Sequence, residues 1–201
     1  FEMSADNGIR GVRIVGQEEL HELEPHMNPA AKFALFNPNT GVLNPFELTI
    51  ALGEHAVLNG TKVLLNTEVT GINSEDGRVV SVDTTQGTIE AKIVINAAGL
   101  YSDKVAGMVE HVDYTVKPRK GVYFLYDKQY GDFIRRPIYT APTAVSKGLI
   151  MLPTTEGNIL CGSNAILHED KDDLSTDLES LNHIYAEAIH KYYPELPRMG
   201  D

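Results

Sequence analysis

The chain has 201 residues, of which 42% are apolar and 22% are charged, so it can bury a hydrophobic core. Its formal net charge of −11 repels phosphate backbones, which argues against nucleic acid as a partner. No apolar run approaches the ~20 residues of a membrane-spanning helix. The single cysteine, Cys161, allows neither an internal disulfide nor a cysteine metal cluster. We therefore expect a globular, cytoplasmic protein without a metal site.

The first third of the chain predicts two short strands, at 11–15 and 32–36, around a short helix at 17–23. A longer helix follows, because Asn44 can act as its N-cap and Pro45 suits the first helical position. Gly60 can adopt the positive φ that ends a helix.

The middle third is rich in β-branched residues and predicts strands at 63–65, 68–72, 79–85 and 88–95. Gln86-Gly87 predicts a tight hairpin between the last two strands. The apolar run Ile93-Val94-Ile95 is typical of a strand that is covered on both faces. It leads into Asn96-Ala97-Ala98-Gly99 and a helix predicted at 102–108.

The last third predicts four strands, at 121–126, 134–139, 149–152 and 158–161, which suggest an antiparallel sheet. A final helix should begin at Thr176, with Glu179 completing a capping box, and end at Pro194. The acidic cluster Glu169–Asp173 is predicted to be a solvent-exposed loop. The residues by themselves therefore predict an α+β fold.

The chain lacks the short sequence motifs that identify common nucleotide-binding or catalytic sites. The chain contains no G-x-G-x-x-G, no G-x-x-x-x-G-K-[ST], no H-E-x-x-H and no G-x-S-x-G. Without a further signal, the residues indicate only an α+β domain, and no catalytic residue can be named.

The run from Lys92 to Asp103 supplies that signal, because it resembles a flavin-contacting segment of the D-amino-acid-oxidase-like FAD-dependent oxidoreductases. In such a segment a buried strand ends in a turn of small residues, which lets the backbone approach the dinucleotide, and a helix follows. The flanking segments Gly41–Pro45, Asn66–Ile72 and Pro118–Phe124 resemble the same family, in the same order.

The resemblance implies an antiparallel β-sheet substrate domain with helices, plus part of an FAD-binding α/β domain. Residues 1–60 would supply substrate-domain strands and a helix, 61–117 part of the FAD-binding region with its hairpin, and 118–201 the substrate-domain sheet and C-terminal helix. The family's G-x-G-x-x-G unit would precede this chain and its closing segment would follow. Phe1 and Asp201 therefore look like positions inside a longer chain.

The resemblance also implies roles for individual residues. Cofactor contact is expected at the residues of the strand and turn, Val69, Ala97, Ala98 and Gly99, for which close packing is the alternative. Arg119 and Lys120 are candidates to bind an anionic substrate, although charges at the start of a strand often face solvent. Tyr123 could face the flavin or the substrate, or it could pack in the core.

Two later segments, Leu149–Asn158 and Cys161–Ala165, resemble the glycerol-3-phosphate dehydrogenase and L-2-hydroxyglutarate oxidase branch. This implies oxidation of a small secondary alcohol, first sn-glycerol 3-phosphate to dihydroxyacetone phosphate, by hydride transfer to flavin N5. The expected partners are a small anionic substrate and the remainder of the FAD-binding domain; the electron acceptor stays open. An L-2-hydroxyglutarate or amine/amino-acid oxidase and a non-catalytic binding module are the alternatives.

Overall fold

The computed structural model describes residues 6–141 and 148–198. Phe1 and Asp201, which were interpreted as positions inside a longer chain, lie outside the described residues. The chain divides into two compact units: unit 1 contains the residues up to 48, 120–166 and those from 174 onward, and unit 2 contains 49–119 and 167–173. The sequence analysis divided the chain by expected function into 1–60, 61–117 and 118–201. The two compact units do not test that division, which stays a prediction.

The described chain combines α-helices with antiparallel sheets, which confirms the expected α+β class. The strands are β1 (Arg13–Gly16), β2 (Phe33–Phe36), β3 (Val69–Glu75), β4 (Arg78–Thr84), β5 (Gly87–Glu90), β6 (Arg119–Lys120), β7 (Tyr123–Tyr126), β8 (Ile138–Tyr139), β9 (Ile150–Pro153), β10 (Ile159–Gly162) and β11 (Ile166–Leu167). The α-helices are α1 (Gln17–Leu23), α2 (Pro45–Leu58), α3 (Ser102–Ala106), α4 (Leu178–Ile184) and α5 (His190–Tyr192), with a π-helical turn, Tyr185–Ile189, joining α4 to α5.

The main sheet of unit 1 is antiparallel, with strand order β7-β10-β9-β8. Its register aligns residues of the four strands in cross-strand rows, and alternate rows point to opposite faces. One face carries the row Ile138, Met151, Cys161 and Phe124 and the row Pro153, Ile159 and Tyr126. Met151, Cys161, Ile159 and Tyr126 are buried, and the other three residues are half-buried. The other face carries the row Tyr139, Ile150, Gly162 and Tyr123 and the row Leu152, Leu160 and Leu125.

The C-terminal helical segment, α4 through α5, packs on the buried face of this sheet. Ile184, Ala188 and Ile189 are fully buried there, at a spacing that keeps them on one side of the helix. The thiol of Cys161 lies in the same core, and its burial raises its pKa to about 12. Unit 1 therefore has one apolar core between a sheet and a helix.

A buried carboxylate joins three distant segments of unit 1. Glu24 is 1% exposed, and its Oε2 accepts hydrogen bonds from the Arg135 backbone N–H at 3.0 Å and from the Tyr193 hydroxyl at 3.1 Å. The Arg136 guanidinium lies 3.6 Å from Oε1 and donates to the Leu23 carbonyl. Burial raises the pKa of Glu24, and these donors oppose that rise.

Unit 2 contains an antiparallel sheet of β3, β4 and β5 and the helices α3 and, from Thr49, α2. The predicted start of α2 is confirmed, because the Asn44 side-chain oxygen accepts from the backbone N–H groups of Phe46 and Glu47. No residue of α2 is buried within the described chain. Gly60 has φ +91° just beyond this helix, as a C-terminal stop requires.

Several predicted boundaries are wrong. Residues 63–65 form no strand, and the strand predicted at 88–95 ends at Glu90. Ile93 and Ile95 are 82% and 87% exposed, because no strand of the described residues pairs with them or covers them. The final helix is capped by Asp177 rather than Thr176, since the Asp177 carboxylate accepts from the Ser180 backbone N–H at 2.7 Å.

Among residues 6–141 and 148–198, none of the helices is both long enough and apolar enough to cross a membrane.

The Glu24 contact generates a prediction about stability. Tyr193→Phe removes a buried hydroxyl that donates to a carboxylate, so we expect the free energy of unfolding to fall by about 1.5–3 kcal/mol. Tyr192→Phe is the matched control, because the structure gives its hydroxyl no hydrogen bond among the described residues. Urea unfolding of both variants measures the difference, and equal midpoints would show that the Glu24 contact contributes nothing.

Candidate functional site

An open groove in unit 2 brings together two of the four predicted cofactor residues, Val69 and Ala98. The volume of the groove is about 480 Å³. Val69 is the first residue of β3, and Ala98 precedes the turn of 3₁₀-helix at Gly99–Tyr101. Seven residues line the groove: Glu68, Val69, Ala98, Tyr101, Lys104, Val105 and Met108. Apolar and small side chains thus form most of its surface.

The turn at Ala97-Ala98-Gly99 is held by the side chain of Asn96. The Asn96 oxygen accepts from the Ala98 backbone N–H at 3.2 Å, and its amide donates to the Ser102 carbonyl at 2.8 Å. Gly99 has φ +55°, a conformation that costs other residues roughly 1–2 kcal/mol. A Cβ at Gly99 would meet nothing within 4 Å. The backbone conformation therefore favours glycine at this position, and the space beside it is open.

One residue beneath the groove wall, Asp103, was missed by the sequence analysis. Its carboxylate accepts from Lys171 Nζ at 2.8 Å to each oxygen, and from the backbone N–H groups of Val116 and Lys104 at 2.9 Å each. The hydrogen bond from Lys171, followed by that from Val116, lowers the pKa of Asp103 to about 2. The signal in the sequence was a lone lysine within the acidic cluster.

Charged side chains also stand at the rim of the groove. Lys104 Nζ lies 3.2 Å from Glu68 Oε1, and both side chains are well exposed. Solvent screens such a pair, so its contribution to stability is below about 1 kcal/mol. The pair can therefore open at little cost and leave an ammonium group and a carboxylate beside the groove.

The predicted substrate residue Tyr123 lies on the sheet face of unit 1 that the C-terminal helices do not cover. It is 47% exposed and stands beside Gly162 in the same cross-strand row. A Cβ on Gly162 would lie 2.8 Å from Tyr123 Cδ1 and 2.6 Å from the Val122 carbonyl oxygen. Glycine at this position therefore lets the tyrosine ring lie against the strand.

The predicted anion-binding residues Arg119 and Lys120 form β6. Arg119 is exposed and belongs to unit 2, whereas Lys120 is half-buried and belongs to unit 1. Lys120 Nζ donates to Ser175 Oγ at 3.2 Å. The described structure thus gives Lys120 a polar partner in its own unit.

Comparison with known proteins identifies the family. The whole chain, residues 1–201, matches the family described as FAD dependent oxidoreductase. A glycerol 3-phosphate dehydrogenase of Caloramator mitchellensis is 37% identical over 199 residues, covering 98% of this chain and 41% of the relative. An L-2-hydroxyglutarate dehydrogenase of Indibacter alkaliphilus is 28% identical, covering 83% of this chain and 42% of the relative.

A solved structure, the dithionite-reduced L-alpha-glycerophosphate oxidase of Mycoplasma pneumoniae with FAD bound, has the same fold at a TM-score of 0.80. It is 27% identical, and the match covers 92% of this chain and 49% of that one. The chain thus spans less than half the length of these three relatives. The family resemblance drawn from Lys92–Asp103 is confirmed, as are the oxidoreductase class and the FAD cofactor, and the chain belongs to the FAD-dependent oxidoreductase family.

Proposed function

We propose that this chain is part of an FAD-dependent dehydrogenase that oxidises sn-glycerol 3-phosphate to dihydroxyacetone phosphate. The observation that carries the proposal is the 37% identity to a glycerol 3-phosphate dehydrogenase over 98% of the chain. The glycerophosphate oxidase fold at a TM-score of 0.80 supports the same substrate class.

The groove of unit 2 fits part of an FAD molecule. Val69 and Ala98 provide an apolar floor, Tyr101 adds an aromatic ring, and Lys104 adds a cation at the rim. Flat heterocycles bind well between apolar and aromatic side chains, and a nearby cation suits an anionic dinucleotide. Ala97 and Gly99 are exposed at the same turn and would allow close backbone approach.

The flavin, when bound, supplies the hydride acceptor at N5, which is the chemistry that no amino-acid side chain offers. The residues of this chain would bind and orient the substrate. Tyr123 presents a ring and a hydroxyl on the open face of the sheet, and Arg119 and Lys120 supply positive charge for the phosphate. The base that takes the hydroxyl proton is assigned to no residue of this chain.

The remainder of the FAD-binding domain is the expected partner of unit 2. From Thr49 onward no residue of α2 is buried, and Ile50, Leu52 and Leu58 are each more than 60% exposed. Ile93 and Ile95 add a second exposed apolar run. Apolar patches of this kind are rare on isolated proteins and favour burial at an interface. We propose that further strands of the FAD-binding domain pair with 93–95 and cover this surface.

The alternatives are a hydroxy-acid or amine oxidase of the same family and a non-catalytic binding module. The L-2-hydroxyglutarate dehydrogenase relatives keep the first alternative open. Hydrogen peroxide formed during turnover would distinguish an oxidase from a dehydrogenase. A cytoplasmic location stays a prediction.

The proposed reaction is tested with the full-length protein that contains this chain. Without oxygen, sn-glycerol 3-phosphate should bleach the visible flavin band, because hydride transfer reduces the ring. L-2-Hydroxyglutarate and glycine are the comparison compounds. Bleaching by one of these alone would replace the proposed substrate, and a protein that binds no FAD would leave only the binding module.

The turn at Gly99 generates a second prediction. Gly99→Val should strain the backbone at φ +55° and abolish flavin retention, because the turn would no longer lie close to the cofactor. Gly41→Val is the matched control, since that glycine also has open space but no positive φ. Flavin absorbance per protein after purification measures the effect, and a fully yellow Gly99→Val protein would exclude the turn from the FAD site.

Lys120 generates a third prediction. Lys120→Met keeps the aliphatic stem but removes the charge, so KM for sn-glycerol 3-phosphate should rise by roughly 10- to 100-fold, the loss expected for one charge-assisted hydrogen bond. Lys128→Met, an exposed lysine, is the control. An unchanged KM would mean that the bond from Lys120 to Ser175 is purely structural.

A further inference from the structure

A short segment at 167–173, here called the acidic segment, folds against the groove side of unit 2 without lining the groove itself. The sequence predicted a solvent-exposed loop at Glu169–Asp173, and Glu169, Asp170 and Asp172 are exposed in the structure. The segment is also held at its start, where His168 donates its backbone N–H to the Pro118 carbonyl at 3.0 Å. Lys117 pairs with Glu169 at 3.2 Å, and within the segment His168 pairs with Asp173 at 2.9 Å.

Three further contacts run from the acidic segment to the wall of the groove. Lys171 donates to both oxygens of Asp103, and the side chains of this pair are only 19% and 10% exposed. The hydroxyl of Tyr101 donates to the Asp172 carboxylate. The Lys171 ammonium also lies 5.4 Å from the centre of the Tyr101 ring, within range of a cation–π contact.

These contacts reach the residues that shape the groove. Asp103 lies in the first turn of α3, between Tyr101 and Lys104, which both line the groove. It also holds the Val116 backbone N–H, so it fixes the helix to the chain that follows it. Loss of the lysine would leave a shielded carboxylate with neutral donors only, which destabilises its surroundings. The charge of Lys171 therefore stabilises the carboxylate that lies behind the groove wall.

We propose that Lys171 and Asp172 are positioning residues for FAD: they hold Tyr101 and α3 in the arrangement that binds the cofactor. The inference rests on the proposed use of the groove for FAD. The acidic segment touches the cofactor at no point in this scheme and acts through Asp103 and Tyr101. FAD affinity should therefore respond to residues that lie outside the groove.

The test compares variants of the full-length protein, prepared with and without FAD. Lys171→Met should weaken FAD binding by about 2- to 30-fold, the range for substitutions that act through a packed network. Lys171→Arg keeps the cation and should restore most of the affinity. Lys128→Met is again the matched control. Quenching of FAD fluorescence on reconstitution gives the dissociation constant, and thermal unfolding of apoprotein and holoprotein gives the stabilisation by FAD.

A positioning role and a structural role predict different results. If Lys171 positions the groove, FAD stabilises the Lys171→Met protein less than the unsubstituted protein. If Lys171→Met lowers the melting temperatures of the apoprotein and the holoprotein by the same amount and leaves the FAD dissociation constant unchanged, the proposal is wrong.

A second variant decides the matter if Lys171→Met does not fold. Asp172→Ala removes an exposed carboxylate and leaves the Lys171–Asp103 pair intact, and it should also weaken FAD binding through Tyr101. Unchanged affinity in that variant would overturn the proposal. An unsubstituted protein that binds no FAD would instead overturn the proposed function, and this inference with it.

Discussion

A buried carboxylate must accept hydrogen bonds from protein donors, because losing its bonds to water would otherwise destabilise the fold. Each compact unit is organised around one such group. Glu24 joins segments 111 and 169 residues away in the chain, and Asp103 joins Lys171, 68 residues away, to α3. These contacts bring the discontinuous pieces of each unit together. In unit 2 the matched carboxylate lies directly behind the groove, so the contacts that stabilise this unit also support the wall of the proposed cofactor site.

The two faces of the unit 1 sheet differ in how deeply their side chains are buried. Alternate cross-strand rows point either toward the C-terminal helices or to the opposite side, and Met151, Ile159 and Cys161 in the rows toward the helices are fully buried. The opposite face is apolar and aromatic, with Leu125 and Tyr139 both more than 60% exposed and Ile150, Leu152 and Leu160 half-buried. Gly162 lies on this face, and because it has no side chain the Tyr123 ring can pack directly against its backbone. The helical side of the sheet is thus the better packed of the two within unit 1.

Local signals predicted most of the elements, and long-range pairing explains the failures. Helix α1 follows from its residue pattern and the start of α2 from the Asn44 cap, and both signals act within a few residues. The run Ile93-Val94-Ile95 has the composition of a central strand, but a strand needs a partner for its backbone groups. None of the described residues supplies one. The predicted cap at Thr176 failed by one position, because Asp177 is the residue whose carboxylate reaches Ser180.

The candidate site shows the same division. The sequence by itself determined the small-residue turn at Ala97–Gly99, the family it resembles and the FAD that the family uses, because these depend on residue types in consecutive positions. Only the tertiary structure decided that Val69 and Ala98 share one groove, and that Lys171 pairs with Asp103 behind it. Contacts across 68 residues leave no periodic pattern in a single sequence, since any of several exposed charges could have been the partner.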